Sequence, residues 1–317
     1  MKELSTELKN LHENTLNNLK NSKAKNTLRA YKSDFNHFSL FCARNSISSL
    51  PAEPKHVSLY LTKISKKFKM STIKRRLVSI SLAHKLKGLY LDTKHPIIVE
   101  NLMGIKRNIG NYQKSKKPLL INNLKLIINY INKYIVNYNV QSRDKSLILI
   151  GFSGGFRRSE LISIDYEDLD FTHEGLKIRV KRSKTDQFGE GMIKGIPYFQ
   201  NSDFCPILNL QNWLQISAIK SGPIFRKFKK NLALTTERLS SQTVALIIKK
   251  YLHLAGIDNT NFAGHSLRSG FASVAAESGA DERNIMAMTG HKSTQMVRRY
   301  IKEANIFKNN ALNNIKL

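Results

Sequence analysis

The segment Gly110-Asn-Tyr-Gln-Lys-Ser-Lys-Lys-Pro118 sets the first limit on what this chain can become. Glycine and proline bracket it, it holds no acidic residue, and four lysines fall between Lys106 and Lys117 with Arg107 besides. Such a stretch turns and solvates; it does not pack. The apolar patterns on either side must therefore build separate cores, and 317 residues are enough for two. The expected division is a helical domain over 1–110, a basic linker over 111–118 carrying Lys114, Lys116 and Lys117, and a second domain over 119–317.

The first domain reads as helices. From Asn26 to Arg44, Leu28, Tyr31, Phe35, Phe38 and Phe41 recur at helical spacing while Arg29 and Lys32 project elsewhere. Pro51 and Pro54 punctuate, and Lys55 to Phe68 repeats the pattern. A third helix runs from Ser71 to Gly88, with Ser71 or Thr72 as N-cap and Gly88 as stop. Its Lys74-Arg75-Arg76 cluster, with Lys85 and Lys87, forms a basic face suited to phosphate contact, although such faces are commonly just solvated. The second domain is mixed. Helical patterns cover 121–136, 142–152, 207–217, 240–254, 266–278 and 282–288, and 176–180 with 192–198 read as the arms of a β-hairpin.

Charge narrows the function. Against 23 acidic residues stand 52 Lys and Arg, a formal +29, and such a field attracts polyanions, nucleic acid foremost. The part up to Lys117 carries 24 basic and 7 acidic residues, so the smaller domain is the more densely charged. Solubility is the plainer reading of a net charge, but acidic surplus serves it better, and an Asn-, Lys- and Ile-rich composition of the kind an AT-rich genome encodes inflates the lysine count. No apolar run approaches the ~20 residues of a membrane helix. The polar opening Met1-Lys-Glu-Leu-Ser-Thr-Glu lacks a secretory pattern, and Cys42 and Cys205 stand alone without metal spacing. A cytoplasmic, nucleoid-associated protein with reduced cysteines is expected.

Metal and nucleotide motifs are missing: there is no Walker-type loop, dinucleotide fingerprint or HExxH. A protein acting on nucleic acid without a metal must neutralise phosphate with its own cations, and arginine forks onto two phosphate oxygens while staying protonated. Arg157 follows the apolar run ending at Gly154-Gly155, and Glu160 three residues on shares its helical face. Taken alone this pair is as consistent with a surface salt bridge. His265 and Arg268 lie three apart at a helix start, where backbone N–H groups favour anions. An imidazole beside a guanidinium suits proton transfer at a bound phosphate, yet HxxR by itself is a weak signal. In Thr289-Gly-His-Lys-Ser-Thr-Gln-Met-Val-Arg-Arg-Tyr300, a phenol with pKa near ~10 becomes a nucleophile only with a base and a positive field to assist it.

Arg157, His265, Arg268, His291 and Tyr300 form an ordered set, Arg … HxxR … GH … Tyr, which core and surface roles explain singly but not jointly. In this the chain resembles the tyrosine recombinases of the phage integrase family. The motifs are Gly155-Phe-Arg157-Arg-Ser-Glu160-Leu, Arg182-Ser-Lys184-Thr, His265-Ser-Leu-Arg268, Thr289-Gly-His291 and Arg299-Tyr300. The steps of 23 residues from Arg268 to His291 and 9 to Tyr300 match the family's usual spacing.

The resemblance implies a mainly α fold with a small antiparallel β-sheet (α+β) in the catalytic domain, joined to a SAM-like core-binding domain in a C-shaped clamp on DNA. It implies that Arg157, Arg268 and His291 hold the scissile phosphate, that Tyr300 attacks it to form a 3′-phosphotyrosyl bond, and that Lys184 on the hairpin turn protonates the leaving 5′ oxygen. His265 then acts as general acid/base and Glu160 braces the site. Lys181, Arg182 and Lys194 are the lysine's nearest competitors, with DNA-backbone contact as their ordinary role. Arg298 and Arg299 are expected to face DNA or solvent. No cofactor and no metal are needed, because the phosphotyrosine stores the bond energy.

The implied partners are double-stranded DNA with inverted-repeat sites, a homotetramer on two such sites and a DNA-bending accessory protein, with no membrane. The tail from Ile301 to Leu317 reads as a helical stretch that packs on its own domain or docks on a neighbouring subunit. No arm-type DNA-binding domain is expected before about residue 20, which favours a simple two-domain recombinase. The expected role is integration and excision of a mobile element. The alternatives are Xer-like dimer resolution, a topoisomerase-like nicking and closing enzyme, and a non-catalytic DNA-binding regulator; this last has no use for Tyr300.

Overall fold

The computed structural model describes residues 6–21, 23–110, 116–181, 191–200, 202–304, 307 and 315. Chain contacts divide it into Met1–Lys114 and Ser115–Leu317. No helix of the described residues is long and apolar enough to cross a membrane.

The first unit contains the helices α1 (Thr6–Asn21), α2 (Lys25–Arg44), α3 (Pro54–Ser65), α4 (Met70–Leu86) and α5 (Pro96–Ile109). Its core joins Phe38 and Cys42 of α2 to Tyr60, Leu61 and Ile64 of α3, Ile73 and Ile80 of α4 and Ile98 of α5. Proline opens α3 and α5, where a missing N–H costs nothing. α4 begins one residue before the expected Ser71, with Lys69 as its N-cap and no side-chain cap, because Met70 already packs into the core. It ends as expected near Gly88, whose left-handed φ of 70° turns the chain out of the helix.

The second unit holds α6 (Ile121–Tyr134), α7 (Tyr138–Ser153), α8 (Arg158–Ser163), α9 (Pro206–Ser217), α10 (Ser241–Leu254), α11 (Ser266–Glu277), α12 (Glu282–Thr289) and α13 (Thr294–Ala304). α7 is buried from Ser142 to Ser153, polar residues included, so its sequence lacks a wet face. Asp144, for instance, accepts from Arg143 Nη2 at 2.6 Å and from Tyr251 Oη at 2.8 Å. Strands β1 (Leu169–Phe171), β2 (Gly175–Val180) and β3 (Met192–Pro197) form an antiparallel sheet in chain order, with Leu176 opposite Ile196 and Ile178 opposite Lys194. β4 (Arg226–Phe228) and β5 (Leu234–Arg238) form a second small hairpin.

The segment entering this unit runs beside α11: Leu119 N–H donates to Ser266 O at 2.9 Å. A Cβ on Gly270 would lie 2.1 Å from Leu119 O, so the helix can approach this closely only with glycine there. Of the helical stretch expected over 301–317, Ile301 to Ala304 belong to α13, which starts at Thr294, and most of the rest lies outside the described residues. Phe307 and Ile315 are exposed, and Ile306 and Leu312 lie outside the described residues.

Candidate active site

Arg157 stands in extended conformation as the N-cap of α8, immediately after the Gly154-Gly155 turn that ends α7. Glu160, in the first turn of α8, accepts from the Arg157 backbone N–H at 2.9 Å and from Arg157 Nη1 at 2.6 Å. The carboxylate is 2% exposed, so this is no surface salt bridge: one buried anion fixes both the backbone and the guanidinium of the arginine. Arg157 Nη2 also reaches Gly290 O at 3.4 Å, on the turn that carries His291.

Arg268, on the first turn of α11, is 1% exposed. Its Nη1 donates to Gly155 O at 3.1 Å, while its Nε and Nη2 are buried with no acceptor. Burial, with Arg157 beside it, lowers its pKa to about 10, so it remains a cation at neutral pH. Gly155 is the hinge of this arrangement. Its φ of 54° is left-handed, and a Cβ there would stand 3.0 Å from the Phe271 ring and 3.2 Å from Thr289.

His265 lies at the N-terminus of α11 with its side chain exposed. Surrounding protein, and then the guanidiniums of Arg268, Arg157 and Arg158, lower its pKa, so the ring is neutral and able to accept a proton. His291 is 7% exposed and its Nδ1 lies 2.8 Å from Thr289 Oγ1. Burial first, then Arg268, Arg157, His265 and Lys194, push it down to about 4. Tyr300 is half-buried on α13 against the cluster of Ala272, Ala276, Ile285 and Val297. Burial raises its pKa, while the charges of Arg268 and Arg299 work against that rise. The described part of the site thus gathers Arg157, Glu160, His265, Arg268, His291 and Tyr300 from α8, α11 and the α12–α13 region.

Lys194, Thr289 and Gly155 were not among the expected site residues. Lys194 of β3 is 1% exposed, donates from Nζ to Gly154 O at 2.6 Å and lies 4.3 Å from the Phe156 ring centroid. It is therefore no DNA-backbone contact. Burial, offset in part by Glu160 and reinforced by Arg268 and Arg157, lowers its pKa to about 7. The alternation of β3 carried the signal, since Lys194 shares a face with buried Ile196. Lys181, a second competitor, is engaged by Asp165 at 3.2 Å and Asp168 at 3.0 Å.

Lys184, Arg182 and Lys114 lie outside the described residues. In the first unit Lys74 and Arg75 are exposed, and Arg75 Nε donates to Asp34 at 2.7 Å. Arg76 differs from the expected basic face: it is 7% exposed, bonds Tyr60 Oη at 2.9 Å and stacks 4.1 Å from the Phe68 ring centroid. The i+1 step from Arg75 turns it inward, so it braces the core. In the second unit Lys116 and Lys117 are exposed, Lys116 Nζ reaching Thr260 O at 2.8 Å. Arg298 and Arg299 are also exposed, paired with Glu282 at 3.2 Å and Glu303 at 3.0 Å. Among the described residues no group of three or more His, Cys, Asp or Glu could hold a metal ion.

Residues 119–305 match the profile of the phage integrase family, and residues 13–85 that of the phage integrase N-terminal SAM-like domain. An integrase/recombinase XerD homolog of Selenomonas ruminantium is 42% identical over 298 residues, covering 93% of this chain and 86% of that protein. The tyrosine recombinase XerC of Syntrophus aciditrophicus (strain SB) is 25% identical over 285 residues, 86% of each. Among solved structures, the XerH site-specific recombinase in a post-cleavage complex with palindromic difH substrate aligns with a TM-score of 0.62 at 18% identity, over 82% of this chain and 73% of that one. A lambda integrase dimer bound to a COC' core site aligns at 0.58 and 17% identity, over 92% of this chain and 75% of that one. The two structural likenesses speak for the fold. The profile over residues 119–305 and the relative at 42% identity speak for descent: this chain belongs to the phage integrase family of tyrosine-type site-specific DNA recombinases.

Proposed function

We propose that the protein is the recombinase of a mobile element, cutting and rejoining double-stranded DNA at inverted-repeat sites through a 3′-phosphotyrosyl bond to Tyr300. The observation that carries this reading is Arg268, a buried cation that keeps two hydrogen-bond donors without an acceptor in the protein. Burying such a group costs folding free energy, and an incoming phosphate oxygen is the acceptor that recovers it.

The chemistry follows from charge. Tyr300 Oη attacks phosphorus, the P–O5′ bond breaks, and the 5′ oxygen leaves with a proton. Two negative charges then spread over the pentavalent phosphorus, facing Arg157 and Arg268; losing one such donor typically costs ~10²–10³ in rate. The phenol is a poor nucleophile while protonated, and neutral His265 is the described group suited to take its proton. Lys184 supplies the proton to the leaving oxygen in this proposal. Attack by the 5′-hydroxyl of a second duplex reverses the step, so exchange between two duplexes proceeds through a Holliday junction and uses a homotetramer on two DNA sites. No cofactor enters.

Covalent trapping tests the reading. The protein is incubated without metal with labelled DNA from the flanks of its own gene, nicked near each candidate site. A labelled band that survives SDS and disappears in Tyr300→Phe is the expected result. Equal labelling in the variant places the nucleophile elsewhere. Tight, salt-sensitive binding with no adduct favours the non-catalytic regulator, and relaxation of any plasmid regardless of site favours the topoisomerase-like enzyme. The XerC and XerD-homolog relatives make dimer resolution the second reading. A two-site plasmid assay separates it from integration into a foreign target.

A further inference from the structure

Thr289 ends α12 two residues before His291 and is fully buried. Its hydroxyl donates to Ile285 O at 2.6 Å and lies 2.8 Å from His291 Nδ1. A threonine hydroxyl has a single hydrogen, and a carbonyl oxygen can only accept. That hydrogen is therefore committed to Ile285, and the second contact must run the other way: His291 Nδ1–H donates to Thr289 Oγ1. A neutral imidazole that donates at Nδ1 carries a bare lone pair at Nε2. Such a ring presents an acceptor nitrogen to an acceptor phosphate oxygen, and the two repel.

We propose that Thr289 is a positioning residue that holds His291 in the Nδ1–H tautomer, so that His291 binds the scissile phosphate only after taking up a proton at Nε2. This rests on the recombinase reading of the site. The proton comes from solvent and no covalent bond changes. The charged and titratable groups facing the ring are Arg268 of α11, His265 at the N-cap of that helix, Arg157 at the start of α8 and Lys194 of β3. Burial foremost, and then the charges of these groups, Arg268 and Arg157 first, hold the free ring neutral. A phosphodiester brings the compensating negative charge, and His291 accordingly becomes a cation only in the DNA complex. Thr289 thus ties the last phosphate contact to the arrival of the phosphate.

Two variants test this. Thr289→Val keeps the shape and removes the hydroxyl; Thr289→Ser restores it. In ¹⁵N-histidine spectra of the full chain, with His291 assigned through His291→Asn, the wild type and Thr289→Ser are expected to carry the ring proton on Nδ1. In Thr289→Val the ring is expected to lose that preference. In single-turnover cleavage of the nicked DNA, the wild-type rate is expected to fall towards alkaline pH by about tenfold per unit beyond the apparent pKa of the complex. Thr289→Val, free to adopt the Nε2–H donor form, is expected to lose most of that fall, and Thr289→Ser to regain it. A wild-type ring protonated at Nε2, or matching alkaline limbs in wild type and Thr289→Val, overturns the proposal. Should Thr289→Val fail to fold, the wild-type tautomer and the Thr289→Ser rate decide it. Absence of any adduct in the wild type at every pH counts against the recombinase chemistry instead.

Discussion

Replacing Glu160 with glutamine isolates the one buried anion that, among the described residues, pairs with the site's arginines. The carboxylate accepts two hydrogen bonds from Arg157, at 2.6 and 2.9 Å, and is 2% exposed, while the Arg157 side chain is 16% exposed. Glutamine keeps the shape and one acceptor oxygen but turns an amide NH₂ towards the other donor. It also leaves Arg157 facing Arg268 with nothing between them to offset the repulsion. A charge-assisted bond of this kind is worth ~1.5–3 kcal/mol, and breaking a buried pair costs up to ~3–5. A loss of about 3 kcal/mol corresponds to a melting temperature lower by roughly 6–12 °C for a unit of this size. Thermal unfolding of full-length Glu160→Gln against wild type, followed by circular dichroism, measures it. The same scan with DNA present is expected to show a smaller gap, since phosphate replaces the missing negative charge. A drop below about 2 °C, or a gap indifferent to DNA, would refute the view that Glu160 offsets the site's charge.

Three further outcomes follow from neighbouring groups. Arg268→Met removes a buried cation with two unmade donors and forfeits the bond to Gly155 O, so cleavage should fall by ~10²–10³ or more while the melting temperature does not fall; a clear loss of stability would contradict this. Gly155→Ala forces a left-handed side chain against Phe271 and Thr289 and should cost ~1–3 kcal/mol in denaturant unfolding. Lys194 has its pKa lowered to about 7, against ~10.4 in an unfolded chain. The unfolded state thus binds the extra proton between those values, and stability should rise with pH across that window. His291, lowered to about 4 against ~6.5 unfolded, adds a rise between those two values. Melting curves from pH 4 to 10 check both, and Lys194→Met should flatten the upper rise alone.

Much of this was legible in the sequence. Helical spacing located α2, α3, α7, α10 and α11 to within a few residues, because each presents an apolar stripe or a fully apolar run to a core. The two small strands β4 and β5 were missed, being three and five residues long with few β-forming side chains. The ordered set Arg, HxxR, GH, Tyr was legible because long-range spacing constrains it. Thr289 was not, since its role comes from which atom a hydroxyl hydrogen serves, which no spacing encodes; the inward face of Lys194 was signalled by the alternation of β3, but not its place beside the arginines. Arg76 misled because three consecutive basic residues on a helix cannot share one face, and the third turns into the core.

The helix that carries Tyr300 has a small footing. α13 rests on a small cluster of Ala272, Ala276, Ile285 and Val297, separate from the large core that α7 anchors. Peeling it away uncovers Val297, parts of Tyr300 and Ile301, and the faces of Ala272, Ala276 and Ile285 beneath them, on the order of a few kcal/mol of apolar contact. The hydrogen bonds that hold Arg157 and Arg268 run to Glu160, Gly290 and Gly155, none of them on α13. The groups proposed to hold the phosphate and the tyrosine proposed to attack it are thus mounted on cores of very different size, and the smaller one is the cheaper to open.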